Sequence, residues 1–168
     1  MTVVFGGAEF PAYVIDEETL REELLDEEET REWVEETPQD PHAVALLRML
    51  GELDAALAAG QDRVHEREPG TPEWATAAIR LAHVHHWRGE FVEAHELLDA
   101  AEEVLAGDDA RTALVHQHRA KALFDAGRYA EAQREARRAV ALREQGGDPG
   151  LIQSSRQALA RIDRALAT

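Results

Sequence analysis

The hexapeptide GRYAEA, residues 127–132, reads as the end of one helix, a turn and the start of the next. It has two counterparts upstream, GEFVEA at 89–94 and GELDAA at 51–56. Gly51, Gly89 and Gly127 recur at a spacing of 38, as do Leu53, Phe91 and Tyr129, and Ala56, Ala94 and Ala132. Ala82, Ala120 and Ala158 share that register, with Val44 one period earlier, and Ala101 pairs with Ala139. Self-similarity at a fixed period of this length marks a stack of supersecondary units, each burying its apolar face against the next.

Each unit can be read from its residues. The glycine supplies the left-handed backbone that a short helix–helix connection needs. The large apolar residue two positions later anchors the following helix, and the small alanines let helices approach closely. Helices are predicted over 73–88, 90–106, 110–126 and 128–144. Leu97, Leu98, Ala101, Val104 and Leu105 fall at three- and four-residue steps, the helical period. Pro72 and the QGGDPG run at 145–150 punctuate the units. Residues 151–168 read as a lone terminal helix with Arg156, Arg161 and Arg164 on a solvated face, a cap for an open-ended stack.

The pattern of a small residue, a large apolar one, then G-x-Y/F-x-E-A and a further spaced small residue resembles the tetratricopeptide repeat. Ala120, Gly127, Tyr129, Ala132 and Ala139 carry the likeness, as do Leu81, Ala82, Gly89, Phe91, Ala94, Leu98 and Ala101. It covers residues 37–168, as repeats at 37–74, 75–112 and 113–150 followed by the capping helix 151–168. The resemblance implies an all-α fold, a short right-handed solenoid of antiparallel helix pairs. The sequence departs from the family pattern at several places. The closing proline of each repeat is missing, Gly60 and Arg63 replace packing residues in the first repeat, and Arg119 stands where leucine is common.

Composition narrows the function. The chain of 168 residues suffices for one domain with an arm. It has no cysteine, which excludes disulfides, thiolate zinc sites and a cysteine nucleophile. The net charge of −16 argues against a nucleic-acid partner, whose phosphates demand a cationic footprint. No apolar run reaches membrane-spanning length, and the N-terminus lacks the basic and apolar regions of a signal peptide. A cytoplasmic protein is expected. Charge is unevenly distributed: residues 1–36 hold 13 acids and 2 bases, whereas residues 113–168 carry a net +4.

Residues 1–36 form the acidic arm. A helix is predicted over 16–36, with Asp16 or Thr19 as its N-cap. It is either a docked helix with a solvated face or an arm for a basic surface, on this chain or on a partner. The β-prone, apolar stretch at 2–15 reads as an extended strap or as a segment that orders on binding.

In the family the resemblance points to, the first helix of each pair lines a concave groove. By position, that face carries Ile79, Arg80, His83, His86 and Trp87 in one repeat, and Gln117, His118, Lys121, Phe124 and Asp125 in the next. The steps 79–83–86 and 117–121–124 each lie on one helix face. His85 occupies the register of Leu123 and is expected to be a packing histidine bonded to a neighbour. Arg80, Lys121 and the imidazoles suit an acidic peptide, with Trp87 and Phe124 adding apolar contact. With such a ligand, binding is expected to strengthen as the histidines protonate. The lysine–asparagine set with which some family members grip a C-terminal carboxylate is incomplete, because the sequence has no asparagine.

Two competing readings come from the same residues. His83, His86 and His118 are candidate metal ligands, although no HExxH-type motif accompanies them. Catalysis has no visible constellation: the two serines, Ser154 and Ser155, lie on the capping helix, and no phosphate loop is present. The expectation is therefore a non-enzymatic protein–protein interaction module without cofactor, an adaptor or small chaperone-like binder. The alternative is a self-inhibited or homo-oligomeric regulator that uses the acidic arm.

Overall fold

The computed structural model describes residues 3–168. The described residues form eight helices and one hairpin: β1 (Tyr13–Ile15), β2 (Glu22–Leu24), α1 (Glu27–Glu36), α2 (Ala43–Met49), α3 (Leu53–His65), α4 (Pro72–Trp87), α5 (Phe91–Val104), α6 (Asp109–Asp125), α7 (Tyr129–Glu144) and α8 (Pro149–Leu166). The fold is all-α apart from that hairpin. No helix among the described residues is long and apolar enough to cross a membrane.

The repeated glycines end α2, α4 and α6 in the same way. Gly51, Gly89 and Gly127 have φ of 77°, 78° and 74°. Each glycine N–H donates to a carbonyl three residues back, on Arg48, His86 and Phe124, at 3.0 Å in all three cases. The next N–H, on Glu52, Glu90 and Arg128, reaches five residues back at 3.0, 2.9 and 2.8 Å. This paired closure satisfies carbonyls that a helix end would leave orphaned, and it requires the left-handed residue. The same backbone device, 38 residues apart, turns the chain back on itself three times.

Helix starts are equally explicit. Thr71 caps α4 by accepting from Trp74 N at 3.2 Å, with Pro72 in the first turn. Asp148 caps α8 by accepting from Gly150 N and Leu151 N at 2.8 and 3.2 Å, followed by Pro149. Proline at that position loses no hydrogen bond and presets the helical φ.

Consecutive helices pack in pairs, α2 on α3, α4 on α5 and α6 on α7, and α8 lies on α7. In addition α2 touches α4, α4 touches α6 and α6 touches α8, so these four helices share a layer. The alanines sit where helices meet: Ala56, Ala94, Ala101, Ala132 and Ala139 have no exposed surface. Val44, Ala56 and Val84 form one apolar cluster, and Ile79, Ala82, Leu98, Leu105 and Val115 lie in the next. Ala120, Leu123, Phe124, Ala132 and Ile162 belong to a third.

The arm differs from its expectation. The helix predicted over 16–36 is confined to α1, capped by Asp26, whose carboxylate accepts from Glu29 N at 2.9 Å. Residues 13–24 instead make an antiparallel hairpin in which Tyr13 faces Leu24, Val14 faces Glu23 and Ile15 faces Glu22. Asp16 caps its turn rather than a helix, accepting from Glu18 N at 3.1 Å and from Thr19 N at 2.6 Å. The strap is present: Phe5 bridges to Tyr13, and the Phe10 ring stacks on His42 with centroids 4.2 Å apart. The first two residues of the chain lie outside the described residues.

Candidate functional site

The hairpin lies against the face formed by α2, α4 and α6, and its Leu20 and Glu22 enter it. Leu20 is the only non-glycine with positive φ among the described residues, at 59°. Its side chain is 2% exposed and belongs to the cluster of Ala120, Phe124, Ala158 and Ile162. The left-handed backbone costs about 1–2 kcal/mol, and burying a leucine returns about 1.5–3 kcal/mol. The tip is therefore held by its side chain against its backbone preference.

Two residues on, the Glu22 carboxylate accepts from Lys121 Nζ at 3.0 Å and from Arg48 Nη1 at 2.9 Å. Side-chain exposure is 6% for Glu22, 4% for Lys121 and 3% for Arg48, so all three charges are out of water. Burial alone would raise the pKa of Glu22. The Lys121 and Arg48 charges outweigh that and hold the carboxyl well below its ordinary range. Burial, with the neighbouring Glu22 charge, pushes the Tyr13 hydroxyl up to about 12, partly opposed by Arg48.

Trp87 forms the platform beside this cluster. The Arg48 guanidinium lies over its ring at 4.5 Å and that of Arg21, from the hairpin, at 5.0 Å. Arg21 continues to Asp125 at 3.0 Å, and the same Asp125 oxygen is 2.8 Å from His86 Nε2. Farther along, Glu18 of the turn pairs with Arg161 and Arg164 of α8 at 3.1 and 2.9 Å. The acidic arm thus meets the basic rear of its own chain.

The three histidines meet ring to ring. His83 stacks on His86 at 5.4 Å and meets the edge of His118 at 4.2 Å. Burial first, then the Arg48 guanidinium, the neighbouring His118 and His86 rings and the Lys121 ammonium, hold the His83 pKa well below 6.5. Burial and Lys121 do the same for His118, against the opposing pull of Glu22. Burial also lowers His86, more than the Asp125 hydrogen bond raises it. A neutral His86 ring therefore donates Nε2–H to Asp125. His83 Nε2, His86 Nδ1 and His118 Nδ1 are buried without a hydrogen-bond partner. Acid has to charge imidazoles that this face buries, which costs the packed face stability. No group of three histidine or carboxylate side chains among the described residues is arranged to hold a metal ion.

The predicted site residues divide. His83, His86, Trp87, His118, Lys121 and Asp125 do gather on one face. His83, His86 and Lys121 are buried and so line no open groove, with Glu22 of the hairpin seated against Lys121, while Asp125 remains exposed. Arg80 and Ile79 border a cavity of about 230 Å³ between the helices and the hairpin, alongside Tyr13, Glu22 and His83. Gln117 belongs elsewhere: its Oε1 accepts from Ser155 Oγ of α8 at 2.8 Å, and Ser155 accepts from Arg143. Phe124 is packed in the α6–α7–α8 cluster beneath Arg161. His85 lies at a partly buried packing position with Nδ1 2.6 Å from Glu90.

Leu20, Glu22 and Arg48 are site residues that the sequence does not single out. Arg48 stands one period before His86 and two before Phe124. Extending the repeat register into 37–74 therefore identifies it. Glu22 carries no such signal among the arm's many carboxylates.

Comparison with protein-family models, with curated proteins and with solved structures returns no match for this chain. Its repeat and the geometry of this face are the grounds for a functional reading.

Proposed function

We propose that this chain is a protein–protein interaction module, a short right-handed solenoid of tetratricopeptide-like helix pairs. Its α2–α4–α6–α8 face grips an acidic extended segment, and residues 13–24 of the same chain are the resident occupant. The protein is a self-occluded adaptor: a partner segment presenting an apolar side chain and, two residues on, a carboxylate competes with Leu20 and Glu22.

The seating of the Glu22 carboxylate between Lys121 and Arg48 carries this reading. A permanent cover has no need of three buried charges, since apolar residues of similar volume stabilise as well or better. Buried ion pairs select for one partner and register, which a recognition site requires. A two-stranded hairpin is marginal in water by itself, so once displaced it does not compete as a preformed unit.

A protease site inserted between the exposed Leu25 and the helix cap Asp26 leaves the folded chain intact until it is cut. After cleavage, a fluorescent peptide of residues 3–25 should exchange into the helical body, and Lys121→Glu should abolish that exchange. An arm that leaves only when the helices unfold would refute the displaceable-occupant reading.

A further inference from the structure

A second cationic site adjoins the covered face, and Arg80 borders both cavities. A cavity of about 220 Å³ is lined by Arg63, Arg67, Arg80 and Arg111 with a single carboxylate, Glu73. Four guanidinium groups converge on this cavity in a chain of 34 acidic and 18 basic residues, with Glu73 the one carboxylate in its lining and Glu66, Asp108 and Asp40 as counter-charges outside it. The four arginines come from α3, the α3–α4 connection, α4 and the first turn of α6, so no single helix face accounts for them.

Their partners are incomplete. Arg80 is half-buried and has no ion pair or hydrogen bond with another described residue; burial lowers its pKa, and the Asp40 charge only partly compensates. Asp40 is itself engaged, accepting from His42 N at 2.8 Å and lying 2.8 Å from His42 Nδ1. Arg67 is exposed and likewise without an ion pair among the described residues. Arg63 and Arg111 hold local pairs with Glu66 and Asp108, each at 3.0 Å. Such pairs at the surface are weak and yield to a stronger anion. A half-buried guanidinium with no hydrogen bond, and with only the Asp40 charge it shares with His42 nearby, carries a desolvation cost that a bound anion reduces.

The geometry points to a binding site for a phosphate monoester or diphosphate group in this cavity, with Arg80 and Arg63 in its wall and Arg67 and Arg111 at its rim. A phosphoryl group carries several acceptor oxygens and can engage more than one of the four guanidinium groups at once, which one carboxylate does less well. Planar guanidinium forks also pair bidentately with phosphoryl oxygens. Pro41, Val44 and Ala77 supply an apolar wall for the organic part of the ligand. That ligand is either a free phosphorylated small molecule or a phosphorylated side chain of a protein.

Calorimetric titration of the full-length chain with inorganic phosphate, with pyrophosphate and with a phosphoserine peptide, at matched ionic strength, tests the site. Saturable binding of at least one is expected, weakened about tenfold or more by Arg80→Gln and by Arg67→Gln. Arg67 is exposed, so its variant keeps the fold even where Arg80→Gln does not. Tighter binding of pyrophosphate assigns the site to a free ligand, and tighter binding of the peptide to a protein-borne phosphate. The inference is overturned if none of the three saturates, or if binding is unchanged by Arg67→Gln.

Discussion

Glu22 and Lys121 are 99 residues apart in sequence, and their side chains meet at 3.0 Å in the interior. With Arg48 on the other carboxylate oxygen, this contact fastens the acidic N-terminus to the helix layer. It also makes the arm's position a matter of charge as well as of apolar burial.

Lys121→Met removes one of the two counter-charges of a buried carboxylate. It should destabilise the chain by about 3 kcal/mol, the range found when one partner of a buried pair is lost. The double variant Glu22→Gln/Lys121→Met should recover part of that loss. A urea-unfolding double-mutant cycle should therefore show a coupling energy of about 1 kcal/mol or more.

Acid should loosen the protein in two stages. His83 and His118 have folded pKa values well below 6.5, so the unfolded chain binds protons that the folded chain refuses. Their contribution is complete above 6.5 and declines as pH falls below it. Glu22 and Asp125 have lowered carboxyl values, Glu22 by its cations against burial and Asp125 by His86 and Arg21 against burial. Their contribution is present above the ordinary carboxyl range and fades as pH falls through it. Thermal unfolding between pH 8 and pH 3 should show midpoints that fall monotonically, first near the histidine range and again near the carboxyl range. A midpoint that rises between pH 7 and pH 5 would contradict the assignment of neutral, buried imidazoles.

The turn glycines should tolerate alanine alike. A Cβ at Gly51, Gly89 or Gly127 meets nothing within 4 Å, so only the left-handed backbone is penalised. Each substitution should cost about 1–2 kcal/mol in urea unfolding. Gly60→Ala is a different case. Its Cβ would stand 3.0 Å from Leu81 Cδ1, where the side-chain end turns aside, and alanine gains about 1 kcal/mol in helix propensity. A near-neutral result is expected there.

The helical part of this fold is legible because its signals are local. The glycine, the large apolar residue and the alanine recur within six residues, and the helices predicted over 73–88, 110–126 and 128–144 lie within a residue of α4, α6 and α7. The arm is not legible, because what decides it is remote. Glu22 becomes a strand residue through a lysine on α6 and an arginine on α2, neither visible in the acidic run around it. Arg119, a departure from the repeat pattern, reaches Glu102, Asp99 and Glu135 at 2.7, 2.9 and 3.1 Å. It ties α5 to α6 and α7, an ionic link that spacing does not announce. Gln117 shares a helix with His118 and Lys121, yet its partner is Ser155 on α8. Periodicity assigns a face; it does not say which neighbour covers that face.

Residues 13–24 are proposed to occupy the helical face as a separable ligand. Amide hydrogen exchange on the full chain tests it most directly, by comparing Asp16, Leu20 and Leu25 N–H, bonded within the arm, with interior amides of α4 and α6. A separable occupant should exchange through a sub-global opening about 2 kcal/mol or more below that of the two helices. Lys121→Met should then accelerate exchange in the arm far more than in α4. Arm and helix amides that share one opening free energy, and shift together in the variant, would make the hairpin part of a single cooperative core and not a separable occupant.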